Sequence, residues 1–132
     1  KYTVVRPEDY GVYFVGTVYF TTKNIIENYT EDVQRLVNSL CEGWEKALGD
    51  KEKSIELLQK FDSGIDFERE LLSLRKGVDY YKGANGRVLT STREDWDSMA
   101  KTLQEFGLLN NYDYDKTVNN TFVNWYHQNR RK

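Results

Sequence analysis

The chain carries a single histidine, His127, and a single cysteine, Cys41. With one of each, neither an internal disulfide nor a Cys/His zinc pattern is possible. A cysteine nucleophile needs a lowered pKa and a base beside it. Cys41 falls instead inside an apolar helical stripe, which predicts a buried, unreactive thiol that packs as a small hydrophobe. General acid–base work needs a histidine or carboxylate in a cleft with a defined partner. His127 stands close to the basic run Arg130-Arg131-Lys132, with no acidic or nucleophilic motif beside it. The expectation is a solvated side chain on the last helix, followed by a frayed basic tail.

The acidic residues form no clear set. Glu42, Glu45 and Glu52 fit solvated helix faces. Asp113 and Asp115 could in principle hold a cation, but the Gly and Glu of a calcium loop are absent at the required offsets. Gly83-Ala84-Asn85-Gly86-Arg87 has a phosphate-loop look without the Gly-Lys-Ser/Thr that completes one, so it reads as a flexible surface loop. Asn28-Tyr29-Thr30 and Asn119-Asn120-Thr121 fit the glycosylation tripeptide, which is short enough to arise by chance. The residues therefore point to no catalytic set, no metal site and no cofactor.

The aromatics carry more. Tyr10, Tyr13, Phe14, Tyr19 and Phe20 crowd into eleven residues. Alternation along a strand puts Tyr13 and Phe14 on opposite faces. One reading is a central strand covered by helices on both sides. The other is a cleft wall where a flat or small organic ligand stacks, with a tyrosine hydroxyl to hydrogen-bond it.

These residues need elements to position them. At 132 residues the chain suffices for one domain with a modest core. Its 39% apolar and 14% aromatic content fits a folded protein. A net charge of −2, from 19 basic and 21 acidic side chains, gives no field that would attract nucleic acid. No apolar run approaches the roughly 20 residues that cross a bilayer. Residues 2–5 and 11–20 are rich in β-branched and aromatic types and predict two strands, with Gly16 marking a bulge or bend. Pro7 and its neighbours make the turn between them. The strand-like start, with no leader before it, predicts a domain or cleavage product of a longer protein.

The rest predicts five or six helices. A short one covers residues 23–29. Thr30 is expected to cap the next, whose stripe is Val33, Leu36, Val37, Leu40, Cys41, Trp44 and Leu48, ending at Gly49. Asp50 caps a helix carrying Ile55, Leu58 and Phe61 on one face. Asp66 opens another, with Phe67, Leu71, Leu74 and Val78. Thr92 and Asp95 resemble a capping box before Trp96, Met99, Ala100, Leu103 and Phe106, with Gly107 as the stop. A last helix is expected from about Thr117 to Gln128, burying Phe122, Val123 and Tyr126.

The order of these motifs resembles one family. Arg6-Pro7-Glu8-Asp9-Tyr10-Gly11-Val12 is similar to the segment where the chain of a periplasmic solute-binding protein returns from its second lobe to its first. Phe20-Thr21-Thr22-Lys23-Asn24-Ile25-Ile26 resembles the strand-to-helix step after it. Glu31-Asp32-Val33-Gln34-Arg35-Leu36-Val37 with Gly43-Trp44-Glu45-Lys46-Ala47-Leu48 resembles the long helix of that group. Asp95-Trp96 through Gly107-Leu108 resembles its late helix, and Thr121-Phe122 the end of its domain. The group includes binders of thiamine pyrimidine precursors, taurine and other alkyl sulfonates. The resemblance runs from about Arg6 to Phe122, with Thr30 standing where the family often has proline.

The resemblance implies an α/β, mostly helical fold: the C-terminal part of a type II periplasmic binding protein, with short strands and about five or six helices. It implies a single domain or fragment over residues 1–132. Its activity would be ligand capture by lobe closure, not catalysis. Its partners would be a small molecule and the membrane permease of an ABC transporter, in the periplasm or outside the cell. Tyr10, Tyr13 and Phe14, just after the inferred crossing point, would line the cleft. Half of such a protein leaves a sheet edge uncovered, so the fragment is expected to dimerise, for instance by exchanging elements, or to be held by further chain. A sensor domain of a membrane signalling protein and a relative of the enzymes that make the thiamine pyrimidine are the alternatives.

Overall fold

Three helices begin where local chemistry says they should. Asp50 accepts a hydrogen bond from the Lys53 amide at 3.0 Å, and Asp66 accepts one from Arg69 at 2.8 Å. Thr92 and Asp95 exchange bonds in a complete capping box, 3.2 Å one way and 2.7 Å the other. Each satisfies donors that the first helical turn leaves unpaired. The computed structural model describes residues 3–130, and these three caps open the helices α3 (Lys51–Gln59), α4 (Phe67–Lys76) and α6 (Arg93–Glu105). The others are α1 (Lys23–Asn28), α2 (Thr30–Gly49), α5 (Val78–Tyr81), α7 (Tyr114–Thr117) and α8 (Thr121–Asn129). The described chain is mostly helical.

Thr30 does not cap α2. Its hydroxyl donates to the Ile26 carbonyl at 2.7 Å, closing the end of α1, and Tyr29 occupies the cap position instead. The expected last helix starts later than Thr117, and a short helix precedes it. Asp113 nucleates the short α7 by accepting from the Asp115 amide, Val118 leaves it extended, and α8 starts afresh at Thr121.

Neither expected strand forms among the described residues. Tyr2 lies outside them, and Val4 and Val5 are exposed. Pro7–Tyr10 is a 3₁₀ turn closed by Gly11 at φ 76°. Residues 12–20 then run without regular structure, bending at Thr17. β-Propensity measures how well a side chain suits a pleated, half-covered surface, and a strand without a neighbour has no such surface. The one β-bridge among the described residues, Lys82 with Val88, is elsewhere. The α/β expectation is thus corrected to a helical architecture for residues 3–130.

The chain divides into two compact units. One joins the segment up to Phe20 with Ser91–Asn119; the other joins Thr21–Thr90 with the chain from Asn120 on. In the larger unit α2 is the centre. It packs on α1, α3 and α8, while α4 packs on α3 and α5. Cys41 and Leu48 from α2, Val88, and Val123 and Tyr126 from α8 form the buried core. Val37, Leu74, Val78, Leu89 and the stacked pair Trp44–Tyr81, 4.5 Å between ring centres, close over it. Most of the α2 stripe therefore faces the core as its spacing requires, but Leu36, 59% exposed, does not. Two expected core rings do not. Phe61 is 90% exposed because α3 ends at Gln59, and Phe106 is exposed beyond the last turn of α6. Leu58, expected beside Ile55, is also exposed.

In the smaller unit α6 packs on α7 and buries Ala100. Arg93 pairs with Asp115 and lies 4.0 Å from the centre of the Tyr114 ring.

One substitution should strengthen the fold. Gly43 lies inside α2 with nothing near a would-be Cβ. Gly43→Ala is expected to raise stability by about 0.5–1 kcal/mol, by lowering backbone freedom in the unfolded chain. An unchanged or lower urea midpoint would contradict this.

Candidate functional site

Tyr10, Tyr13 and Phe14 were expected to line a cleft. The structure places all three on the smaller unit, exposed at 74%, 54% and 54%. Tyr10 ends the 3₁₀ turn and the other two lie on the irregular segment after it. None of them borders the groove described next.

That groove belongs to the larger unit. It runs between α2 and α8 and has a volume of about 740 Å³. Glu42, Glu45 and Lys46 line one side; Trp125, Tyr126 and Arg130 line the other. Glu45 is its electrostatic centre. It accepts a hydrogen bond from the Tyr126 hydroxyl at 3.0 Å and pairs with the Arg130 guanidinium. A second polar link lies farther along the same helices, where the Gln34 amide donates to the Phe122 carbonyl at 3.0 Å. The aromatic wall, two carboxylates and two cations could hold a small polar molecule.

Cys41 sits behind the groove with none of its surface exposed. Burial, followed by the negative charge of Glu45, pushes its pKa up to about 11, partly offset by Arg130. The thiol therefore stays protonated and walled off, as its stripe position predicted. It is expected to resist aromatic disulfide reagents at pH 8 until denaturant opens the core. Fast, full labelling of the native chain would overturn this.

The same group sets a pH dependence. The folded thiol binds its proton up to about pH 11, against an ordinary value of 9.0. Between those values the native chain keeps a proton that the unfolded chain releases, so stability is fully present below pH 9 and is lost as pH rises toward 11. The loss amounts to about 2–3 kcal/mol at most. Tyr126, whose phenol is raised by burial and by Glu45, adds to it with the same sign. Cys41→Ala should flatten the fall; urea midpoints from pH 8 to 11 measure it.

His127 is not solvated. It is 8% exposed, the only buried polar residue among those described. Its Nε2 lies 3.0 Å from the Val88 carbonyl, so Nε2 carries the proton and donates it. Nδ1 is then a buried atom with no donor among the described residues. The histidine thus pins the Lys82–Val88 loop to α8. That loop is ordered rather than loose. Gly83 donates to Arg87 at 3.0 Å, Gly86 donates back to Gly83 at 2.8 Å, and the Asn85 side chain accepts from Arg87 and from the Thr90 hydroxyl. Leu89 takes a left-handed φ of 57°, a strained choice for a non-glycine. Spacing could have revealed the histidine: Val123, Tyr126 and His127 recur at three and four residues, one buried helix face.

Asp113 and Asp115 are already neutralised, by Lys116 and Arg93 respectively. Among the described residues no cluster of three His, Cys, Asp or Glu could hold a metal ion. Likewise no helix among them is long and apolar enough to cross a membrane. No protein-family model, curated protein or solved structure matches the chain.

Proposed function

We propose that this chain is the C-terminal part of a two-lobe extracytoplasmic solute-binding protein. It captures a small organic molecule, such as a pyrimidine or a sulfonate, and presents it to the permease of an ABC transporter. The observation that carries the reading is that the family-like motifs keep their order and take up helix-defining positions. Gly43-Trp44 lies inside the 20-residue helix α2, with Trp44 stacked on Tyr81. Thr92 and Asp95 form the box that starts α6, Trp96 donates to Ser91 at 2.8 Å, and Gly107 stops the helix at φ 68°. Exposed Tyr10, Tyr13 and Phe14 suit a cleft wall completed by a second lobe.

A thermal-shift screen tests it, using this chain and the longest natural chain that contains it. The panel holds pyrimidines, alkyl sulfonates, flavins and nitrate. A ligand at a hundred times its Kd stabilises the folded state by about 2.7 kcal/mol, which moves a melting temperature measurably. A shift in the longer chain alone, or in both, supports capture of that class. No shift in either, with both chains folded, removes the proposal.

A further inference from the structure

We infer that the groove between α2 and α8 binds a neutral saccharide of two or more rings, with one ring stacked on Trp125. Its lining follows helical spacing on both sides. Asn38, Glu42 and Lys46 succeed one another at four-residue steps along α2, and Trp125 and Asn129 do the same along α8.

The fold leaves these groups unused. Glu42 and Lys46, one turn apart, form no ion pair among the described residues. The Asn38 amide oxygen accepts from the Gln34 side chain at 2.8 Å, which leaves the Asn38 NH2 open. The Asn129 NH2 donates to the Trp125 carbonyl at 2.9 Å, which leaves the Asn129 amide oxygen open. Trp125 is 48% exposed, and its indole N–H meets no acceptor among the described residues. Three donor groups and two acceptor groups therefore stand around one aromatic face. Glu45, Tyr126 and Arg130, by contrast, satisfy one another and bridge the two helices.

Charge and polarity choose the ligand class. Glu42 and Glu45 balance Lys46 and Arg130, so an anion or a cation meets a like charge for every opposite one. An apolar molecule would strip water from five polar groups and answer none of them. The fitting molecule is uncharged, carries hydroxyls that both donate and accept, and has a flat face of C–H bonds for the indole. A pyranose ring has all three. From Asn38 to Lys46 the groove follows α2 for about 12 Å, longer than one sugar ring. Its volume of about 740 Å³ lies within the range of small-molecule sites. A ligand that stays partly in water gives up much of its contact energy, so a Kd of roughly 0.1–1 mM is expected. The inference does not rest on ligand capture at Tyr10, Tyr13 and Phe14, which lie outside the groove.

An NMR titration of the nitrogen-15-labelled chain with cellobiose, maltose, lactose and chitobiose, each to about 20 mM, tests it. At least one sugar should move the Trp125 indole N–H signal together with amides of α2 and α8, and the shifts should saturate. Trp125→Ala should keep a dispersed spectrum and lose about tenfold in affinity. Lys46→Ala, an exposed position on the other helix, should lose about threefold and provides a second reading that leaves the aromatic wall intact. Groove signals that stay still with all four sugars overturn the inference. So does tighter binding of glucosamine or glucuronate than of the neutral sugars, or full affinity in both variants. Shifts confined to Tyr10, Tyr13 and Phe14 also overturn it, and leave the cleft reading in place. Groove shifts with a sugar, alongside no thermal shift from the pyrimidine and sulfonate panel, remove only the cleft reading.

Discussion

Tyr126→Ala is expected to destabilise the chain by about 3–5 kcal/mol, whereas Tyr126→Phe should cost about 1 kcal/mol. The difference separates two jobs of one side chain. The ring is 6% exposed and belongs to the core with Cys41, Leu48, Val88 and Val123. Removing it leaves a cavity that α2 and α8 can close only by shifting against each other. The hydroxyl donates one hydrogen bond to Glu45, which keeps Arg130 when the hydroxyl is gone. The larger unit has few buried side chains, so one lost ring is a large share of its stability. Urea midpoints of both variants check this. Equal losses would mean that the ring contributes little and the hydroxyl carries the effect.

Gly83→Ala should cost about 3 kcal/mol, at the upper end for overpacking. A Cβ at Gly83 would stand 2.3 Å from the Thr90 hydroxyl and 2.7 Å from the Thr90 carbonyl oxygen. The hydroxyl can rotate away. The carbonyl is backbone, and shifting it strains a loop already held by Gly83 to Arg87 and by Val88 to His127. Adding Thr90→Ala should therefore recover only part of the loss. Gly86 is a control. Its φ of 73° disfavours a side chain, but nothing lies near a Cβ there. Gly86→Ala should cost only about 1–2 kcal/mol, the ordinary penalty of the left-handed region. A Gly83→Ala variant as stable as wild type would mean that the loop is not closed as described.

Features governed by neighbours in sequence were legible. The caps at Asp50, Asp66 and Thr92 depend on atoms three residues away, and the α2 stripe depends only on helical period. Cys41 was legible for the same reason. Features governed by distant partners were not. Residues 11–20 have strand composition, but composition does not supply the second strand. The burial of His127 could have been read from its spacing, but its partner could not, being a carbonyl 39 residues earlier. The groove was missed likewise. Glu45 meets Tyr126 and Arg130 across gaps of 81 and 85 residues, and no local pattern links an acid on a solvated-looking face to a phenol near the far end. Phe61 and Phe106 show a local limit, since period stops predicting burial where the helix itself stops.

The detour of the chain between Thr90 and Asn120 sets the order in which the molecule can assemble. The larger unit is interrupted by Ser91–Asn119, and its core closes only when α8 arrives from the far side of that excursion. Helices α1 to α5 can form early, because their contacts are close in sequence. Val88 and Cys41 stay uncovered on that side until Val123 and Tyr126 dock. A nascent chain that has not yet made α8 would thus be a helical intermediate with an open seam. Closing the roughly 30-residue excursion costs several RT of chain entropy, which the α8 contacts must offset together. Folding should accordingly be limited by α8 docking, so a truncation after Asn119 would retain helix but expose Cys41 to reagents that are excluded when α8 is present.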